Sequence, residues 1–265
     1  MASMDDDVTI GLDPPVARLQ FNRPQRRNAL TRAMWQAIPG LLDRAACNHE
    51  IKLLLVRGAT AKAFASGADI SEFFALHRER ETSRAYNREV QAAVDALYRF
   101  PKPTLAMIQG ACVGGGTSLA LACDVRFADH SAVFGVPAAQ LGLVYSLEDT
   151  LRLARAVGTA RARDMIYSAR MVDAAEAHHI GLVQHLYATA ELERRVAEYA
   201  AAVCAVSQYS TTAAKQALLA IEAGQARDDE TTLQRFDDAF FGSDFGEGTR
   251  AFLEKRPARF GWQRR

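Results

Sequence analysis

The run Cys112-Val113-Gly114-Gly115-Gly116-Thr117-Ser118-Leu119-Ala120-Leu121 decides how this chain is read. It follows the apolar stretch Thr104 to Ile108 and opens a helix-like one, so it is a strand-to-helix junction. Three consecutive glycines let backbone approach a ligand with no Cβ in the way. A helix N-terminus leaves amide N–H groups unpaired and carries partial positive charge. The junction therefore suits an oxygen that gains negative charge during a reaction. It is neither a Walker nor a Rossmann fingerprint, because no GK[ST] follows and GxGxxG spacing is absent. No carboxylate stands in it or just after it.

Outward from this junction, short apolar runs alternate with helical patterns. Val16 to Phe21 reads as a strand and Asn22-Arg23-Pro24-Gln25 as a turn. A helix then starts near Asn28 or Thr31, where a short polar side chain caps it. Leu53-Leu54-Leu55-Val56, within Ile51 to Arg57, fits a strand buried on both faces. A loop from Gly58 to Ala68 leads into one helical stretch from about Ile70 to Phe100, ended by Pro101-Lys102-Pro103. Thr104 to Ile108 is the next buried strand, and the helix after the glycines spans Ser118 to Cys123. Val125 to Ala128 and Ala132 to Gly135 are further short strands, and from Thr150 onward the pattern is mostly helical. Strands alternating with helices predict an α/β fold, with residues 1–202 as its core and residues 203–265 as a C-terminal helical region.

The 265 residues are 49% hydrophobic, enough for one well-filled core. Lys plus Arg number 32 against 31 Asp plus Glu, a net charge of +1. That balance gives no electrostatic case for nucleic acid or a membrane as partner. Four cysteines, at 47, 112, 123 and 204, include no CxxC, which argues against a disulfide framework and a zinc site. Reduced thiols in the cytoplasm are expected. Met1 to Asp7 is acidic and lacks the apolar core of a signal peptide. No run nears the ~18 apolar residues of a membrane span.

A second small-residue turn, Lys62-Ala63-Phe64-Ala65-Ser66-Gly67-Ala68-Asp69-Ile70, also joins a strand to a helix. Taken alone, each turn is ordinary turn chemistry. Two such turns ending neighbouring strands could each present one backbone N–H to one oxygen. This second segment resembles the K-A-F-x-x-G-A-D-I motif of the crotonase superfamily, also called the enoyl-CoA hydratase/isomerase family. Pro101-Lys102-Pro103-Thr104 followed by Gly110-x5-Gly116 is similar to its second signature, and Phe21-Asn22-Arg23-Pro24 with Asn28-Ala29-Leu30 to its N-terminal one. Phe134-Gly135-x-Pro137, Leu141-Gly142-Leu143, Gly181-Leu182-Val183 and Glu247-Gly248-x4-Phe252-Leu253-Glu254-Lys255-Arg256 continue the match over nearly the whole chain.

The resemblance implies a crotonase-like spiral of ββα units with a C-terminal helical part, assembled as a homotrimer or a dimer of trimers. It implies an acyl-CoA thioester substrate, with coenzyme A arriving as part of that substrate and no other cofactor or metal. The family's oxyanion hole is two backbone N–H groups, which match Ala68 and Gly115 here, flanked by Gly67 and Gly114. Ser66 matches a position whose backbone meets the adenine. Lys62 resembles a residue near the CoA phosphates, with Arg26 or Arg27 assisting. Asp69, Ile70 and Pro137 fall in the same substrate-binding segments. Phe236 and Lys255 match C-terminal positions that close over CoA, often from a neighbouring subunit. Without the resemblance, Arg27, Lys62 and Lys255 read as solvated surface charges.

The sequence departs from the family where protons are moved. A hydratase of this family carries one glutamate three residues after the middle glycine and another just after the proline of F-G-x-P. Those positions hold Ser118 and Ala138. General acid–base help is worth about 10²–10⁴ per group, so efficient hydration is not expected. Three replacements stand open. Glu148, beside Asp149, could reach the acyl pocket, or the pair could simply favour a helix N-terminus. Tyr145 lies in a segment similar to the P-x-x-L-G-x-x-Y of methylmalonyl-CoA decarboxylase, a family member without the glutamate pair. That enzyme, however, has a histidine where this chain has Ala68. Otherwise Tyr145 packs against the acyl group or core. Ser118 as a nucleophile would need a base, and His130, His178, His179 and His185 are remote in sequence. The leading reading is an acyl-CoA lyase or isomerase that stabilises an enolate. The alternatives are a malonyl-type CoA decarboxylase using Tyr145 and a non-catalytic protein that binds CoA thioesters or a partner. Pocket shape is expected to depend on Phe73 to Arg88 and on residues near Tyr145.

Overall fold

The computed structural model describes residues 7–262. Numbered in chain order, Val8–Asp13 (β1) and Val16–Phe21 (β2) form an antiparallel pair. Parallel neighbours then follow β2: Leu53–Gly58 (β3), Thr104–Ile108 (β5), Val125–Asp129 (β7) and His185–Tyr187 (β10). The resulting six-stranded sheet runs β1-β2-β3-β5-β7-β10. The Leu53–Val56 run is buried, as its unbroken apolar character predicts. Leu54 and Val56 face one cluster with Trp35 and Leu119, while Leu53 and Leu55 face another with Leu192 and Val196.

After each of β3, β5 and β7 the chain turns out of this sheet into a three-residue strand: Ala63–Ala65 (β4), Ala111–Val113 (β6) and Val133–Gly135 (β8). These three pair in parallel, and β8 pairs antiparallel with Met171–Asp173 (β9), giving a second sheet β4-β6-β8-β9. A helical segment follows each pair. Arg80–Tyr98 (α3) comes after β4, Gly115–Ala122 (α4) after β6 and Leu147–Val157 (α5) after β8. The repeated unit is ββα, wound so that the turns after β4 and β6 lie side by side. The fold is thus the crotonase-like α/β spiral that the motifs imply.

Helix α4 is the axis of the core. Every residue from Gly116 to Ala122 is buried. Its C-terminal carbonyls are capped by the buried Arg126, which donates from Nη1 to Cys123 O at 2.7 Å and Ala120 O at 3.4 Å. Burial pulls the Arg126 guanidinium pKa down, and helix carbonyls take the place of water around it.

The helix after the N-terminal turn is Arg32–Cys47 (α1), capped by Thr31 Oγ, which accepts from Met34 N at 3.3 Å. Asn28 does something else: at φ 55° it donates to Ala63 O at 2.7 Å and accepts from Arg23 N at 2.8 Å, tying this turn to β4. The single helix expected over Ile70 to Phe100 is broken into Phe73–Leu76 (α2) and α3, with Glu79 extended between them. Folding back brings the Phe73 ring to 6.3 Å and the His77 ring to 5.5 Å from Tyr86. A straight helix would hold Phe73 and Tyr86 about 20 Å apart. The helix expected from Ser118 to Cys123 starts earlier, at Gly115. Strands β1, β4, β6, β9 and β10 had no sequence expectation.

Thr159–Ser168 (α6), Ala174–His179 (α7) and Thr189–Ala205 (α8) complete the core. Position 203 falls in the last turn of α8. Gln208–Glu222 (α9) is held on the core by Lys215, whose Nζ donates to Asp124 Oδ2 at 2.9 Å and Lys102 O at 3.1 Å. Glu230–Phe241 (α10), which has no buried residue, and Ser243–Leu253 (α11) lie outside it.

Candidate active site

A cavity of about 540 Å³ opens between the two strand-to-helix turns, α3 and the start of α5. That volume suits a small organic ligand. From one turn it is lined by Ser66, Gly67 and Ala68, and from the other by Gly114, Gly115 and Ser118. Gly67 (φ +99°) and Gly114 (φ +53°, ψ −116°) take backbone conformations that favour glycine. They also touch: a Cβ built on Gly67 would lie 3.0 Å from Val113 O and 3.7 Å from Gly115 N.

The turn carrying Ala68 is fixed from both sides. Leu30 N donates to Gly67 O at 2.8 Å and Asp69 N donates to Leu30 O at 2.9 Å. This parallel bridge uses the groups flanking Ala68 and leaves the Ala68 N–H out of the ladder. Asp69 is a clamp: its carboxylate accepts from Ser71 Oγ at 2.6 Å and from Arg23 Nη1 at 2.9 Å. Those bonds hold the Asp69 carboxyl below the usual carboxylate range, Ser71 contributing most. In the other turn, Gly114 N donates to Gly135 O at 2.9 Å. Gly115 is the first residue of α4, so its N–H has no acceptor within the helix. Two unused amides, one per turn, thus border one cavity.

Ser118 sits three residues along α4 from Gly115, on the same face, and is buried. Its Oγ is 2.8 Å from the Tyr145 hydroxyl and 3.4 Å from Gly114 O. Surroundings that exclude water push the Tyr145 phenol well above its ordinary pKa, and the nearby Asp149 carboxylate pushes the same way. The phenol is therefore neutral. Pro137 and Ala138 also line the cavity, at the start of a 3-10 turn, Ala138 presenting only a methyl.

Glu148 does not reach the cavity. It is exposed on the outer side of α5, and the neighbouring Asp149 lines the cavity in its place. Successive helical residues point about 100° apart, so only one of the pair can face inward. Asp149 is fully engaged, accepting from Ser146 Oγ at 2.9 Å and Arg152 Nη1 at 3.1 Å, while Arg152 also pairs with Asp95. Among the described residues no histidine lines the cavity, so none of them offers Ser118 an imidazole base there. Among the described residues no cluster of three or more His, Cys, Asp or Glu is placed to hold a metal ion.

Of the remaining expected residues, Ile70 is a half-exposed part of the mouth. Arg27 and Lys62 are exposed and outside the cavity wall, although Arg27 O accepts from Ser66 N at 3.1 Å and so borders its rim. Phe236 and Lys255 are exposed on the C-terminal helical region and do not line this cavity. Phe73 and Tyr86 line the cavity from within the Phe73 to Arg88 stretch expected to shape the pocket, whereas the sequence offered no sign of Trp35, which occupies an apolar-face position of its helix and reads as core.

Known proteins are similar to this chain over nearly its whole length. The family model described as enoyl-CoA hydratase/isomerase matches residues 13–263. The chain is 36% identical over 248 residues to the Bacillus subtilis protein named as enoyl-CoA hydratase/isomerase YngF, covering 92% of this chain and 93% of that one. It is 31% identical over 259 residues to a crotonyl-CoA hydratase of Syntrophomonas wolfei, covering 96% and 98%. A crystal structure of an enoyl-CoA hydratase/isomerase family protein from Hyphomonas neptunium superposes with a TM-score of 0.95 at 40% identity, covering 98% of this chain and 100% of that one. With the match running through both strand-to-helix turns and on to the last helices, this chain belongs to the enoyl-CoA hydratase/isomerase, or crotonase, family.

Proposed function

We propose that the protein acts on acyl-CoA thioesters by holding the thioester oxygen between the N–H groups of Ala68 and Gly115 as that oxygen becomes an enolate. The observation that carries this reading is that these two amides have no backbone partner and border the same cavity. Donors fixed before reaction stabilise charge that develops in the transition state, at a worth of about 10²–10³ in rate for one donor. Ser66 lines the cavity and Arg27 O borders it, and the exposed Arg27 and Lys62 side chains are the proposed partners of the CoA phosphates. Coenzyme A comes and goes with the substrate, and no resident cofactor is needed. The four free thiols are consistent with a cytoplasmic enzyme, and no described helix is long and apolar enough to cross a membrane.

The proton-moving half of the site is a neutral pair, Ser118 and Tyr145, with Ala138 opposite. Neither a neutral phenol nor a serine activates water as a carboxylate does. Hydration of crotonyl-CoA, followed by the mass of the product, is therefore expected at least about 10⁴ below the diffusion limit. Turnover near that limit overturns the assignment of Ser118 and Ala138 as the sites of the missing bases.

A second reading within the same chemistry is decarboxylation of a malonyl-type thioester, favoured by the absence of an unengaged carboxylate at the reacting end. The bond from C2 to the carboxylate breaks, its electron pair moves to the thioester oxygen, carbon dioxide leaves, and C2 takes a proton through the Tyr145 hydroxyl. No base is required. Tyr145→Phe is expected to lower kcat by about 10² with KM little changed. Because the phenol titrates far above its ordinary value, the wild-type rate should hold through about pH 10. Failure to release carbon dioxide from malonyl-CoA and methylmalonyl-CoA removes this reading.

The assembly proposed is a homotrimer or a dimer of trimers. Phe236, Phe240 and Phe245 are exposed on α10 and α11 with their rings in successive contact, an apolar cluster that a second copy would cover.

A further inference from the structure

The buried cation at the C-terminal end of α4 has donors to spare. Arg126 is 7% exposed. Its Nε donates to Leu182 O at 2.8 Å, and its Nη1 is spent on the α4 carbonyls. A guanidinium carries two more N–H groups on its remaining nitrogen, and Arg126 Nη2 donates to nothing among the described residues. Nor is that nitrogen sealed in, because the sealed side-chain polar atoms without a partner there are Trp35 Nε1 and Arg195 Nε. Nη2 therefore opens on the space that Arg126 lines. This is a second cavity, of about 550 Å³, between α9, the C-terminal end of α4 and the first residues of β5 and β7. Its acids, Asp124 and Glu222, are already taken, Asp124 by Lys215 at 2.9 Å and Glu222 by Arg155 at 3.6 Å. Arg152, also in its wall, pairs with Asp149 and Asp95. Among the described residues, Arg126 is thus the cation of this cavity that no carboxylate pairs with.

A guanidinium stays protonated in a protein, and a buried charge with no counter-charge is costly. Backbone carbonyls soften that cost with their dipoles but bring no net charge. We propose that this cavity binds an apolar monocarboxylate, a small organic acid whose carboxylate accepts from Arg126 Nη2 and whose hydrocarbon body lies along the wall. The wall suits such a body, with Leu105, Leu121, Ala122, Val203 and Leu219 in it. One charge is what the cavity leaves unmatched, and one guanidinium nitrogen serves a carboxylate oxygen. A phosphate dianion would bring a second charge and further oxygens for which the apolar wall has no donors. The volume is that of a small-molecule site. This cavity and the one between the glycine turns share Arg152 alone in their walls, so the inference does not rest on the thioester reading.

The test is calorimetric binding of hexanoate, 1-hexanol and inorganic phosphate to the full-length protein. Replacing Arg126 would also uncap α4, so the variants are placed on α9, at Leu218 and Ala214, which are exposed and line this cavity but not the other. Each is checked for a native melting transition. Wild type should bind hexanoate about tenfold or more tighter than 1-hexanol, the share of a charge-assisted hydrogen bond. Leu218→Glu brings a competing carboxylate to the cavity and should weaken hexanoate about fivefold or more while leaving 1-hexanol nearly unchanged. Ala214→Trp, which crowds the opening, should weaken both. Absence of hexanoate binding to wild type, hexanoate no tighter than 1-hexanol, or a hexanoate affinity that neither variant changes overturns the inference. Phosphate binding tighter than hexanoate overturns the assignment of the ligand as a monocarboxylate.

Discussion

Gly115→Pro is expected to lower the rate of C2 deuterium incorporation into an acyl-CoA product in heavy water by about 10²–10³ beyond the loss caused by Gly115→Ala. This readout fits any reaction of the family that protonates an enolate at C2. The argument turns on what the two variants share. Gly115 is the first residue of α4, where proline is well tolerated because the N–H it lacks has no helical acceptor. Gly114, at ψ −116°, lies outside the α region that a residue before proline must avoid. Both variants add a Cβ that meets Trp35 Cζ2 at 2.9 Å and Cη2 at 3.1 Å. Both therefore displace the indole, at a cost of about 1–3 kcal/mol. Only proline also removes the N–H. The proline ring puts Cδ where the amide hydrogen pointed, so the alanine-to-proline ratio separates the blocked donor position from the Cβ crowding that both variants share. Equal rates in the two variants would mean that the Gly115 amide does not hold the oxygen. A protein that binds thioesters without turning them over would incorporate no deuterium even as wild type.

The parts of this site that were legible in the sequence are those built from backbone. Turns whose backbones approach one another closely, or take positive φ, admit few side chains, so Gly67-Ala68 and Gly114-Gly115-Gly116 leave a mark that survives without neighbours. The buried strands were legible for a similar reason: Leu53-Leu54-Leu55-Val56 can lie only between two apolar layers. What the sequence hid depends on rotation and on return of the chain. Glu148 and Asp149 are both acids at a helix N-terminus, and a one-residue difference in phase decides which faces the cavity. Trp35 sits among Met34, Ile38 and Leu42 on an apolar face, and nothing local says that its N–H lacks an acceptor. Tyr86 meets the site because α2 and α3 fold against each other, a break with no proline or glycine to announce it. Strands β4 and β6 are three residues long, too short for a two-residue period to be read, and exist because their neighbours pair with them.

One residue past Gly115, Gly116→Ala is expected to carry a larger stability cost than the crowding at Gly115. A Cβ there would lie 2.1 Å from Ala65 O, 2.9 Å from Ala65 C and 3.1 Å from Ala65 Cβ. At Gly115 the obstacle is the edge of an indole ring, which can tilt. At Gly116 it is the backbone of β4, paired with β6 and bonded onward to Asn28 through Ala63 O and Phe64 O. That strand cannot move without dragging the Ser66-Gly67-Ala68 turn, so α4 must lift away from β4. Overpacking costs about 1–3 kcal/mol where side chains can yield, and a backbone obstacle puts this variant at about 3 kcal/mol or more. For a chain of this size the melting temperature should fall by about 6–12 °C, measured by thermal unfolding beside Gly115→Ala, which should fall by less. The same displacement separates the Ala68 and Gly115 amides, and a misplacement of about 1 Å can cost 10²-fold in rate. Gly116→Ala should therefore lose turnover although it removes no donor. If it melts with wild type and turns over normally, then Gly116 is not the joint that fixes the distance between the two turns, and the spacing of the amides must be held by the bridge at Leu30 alone.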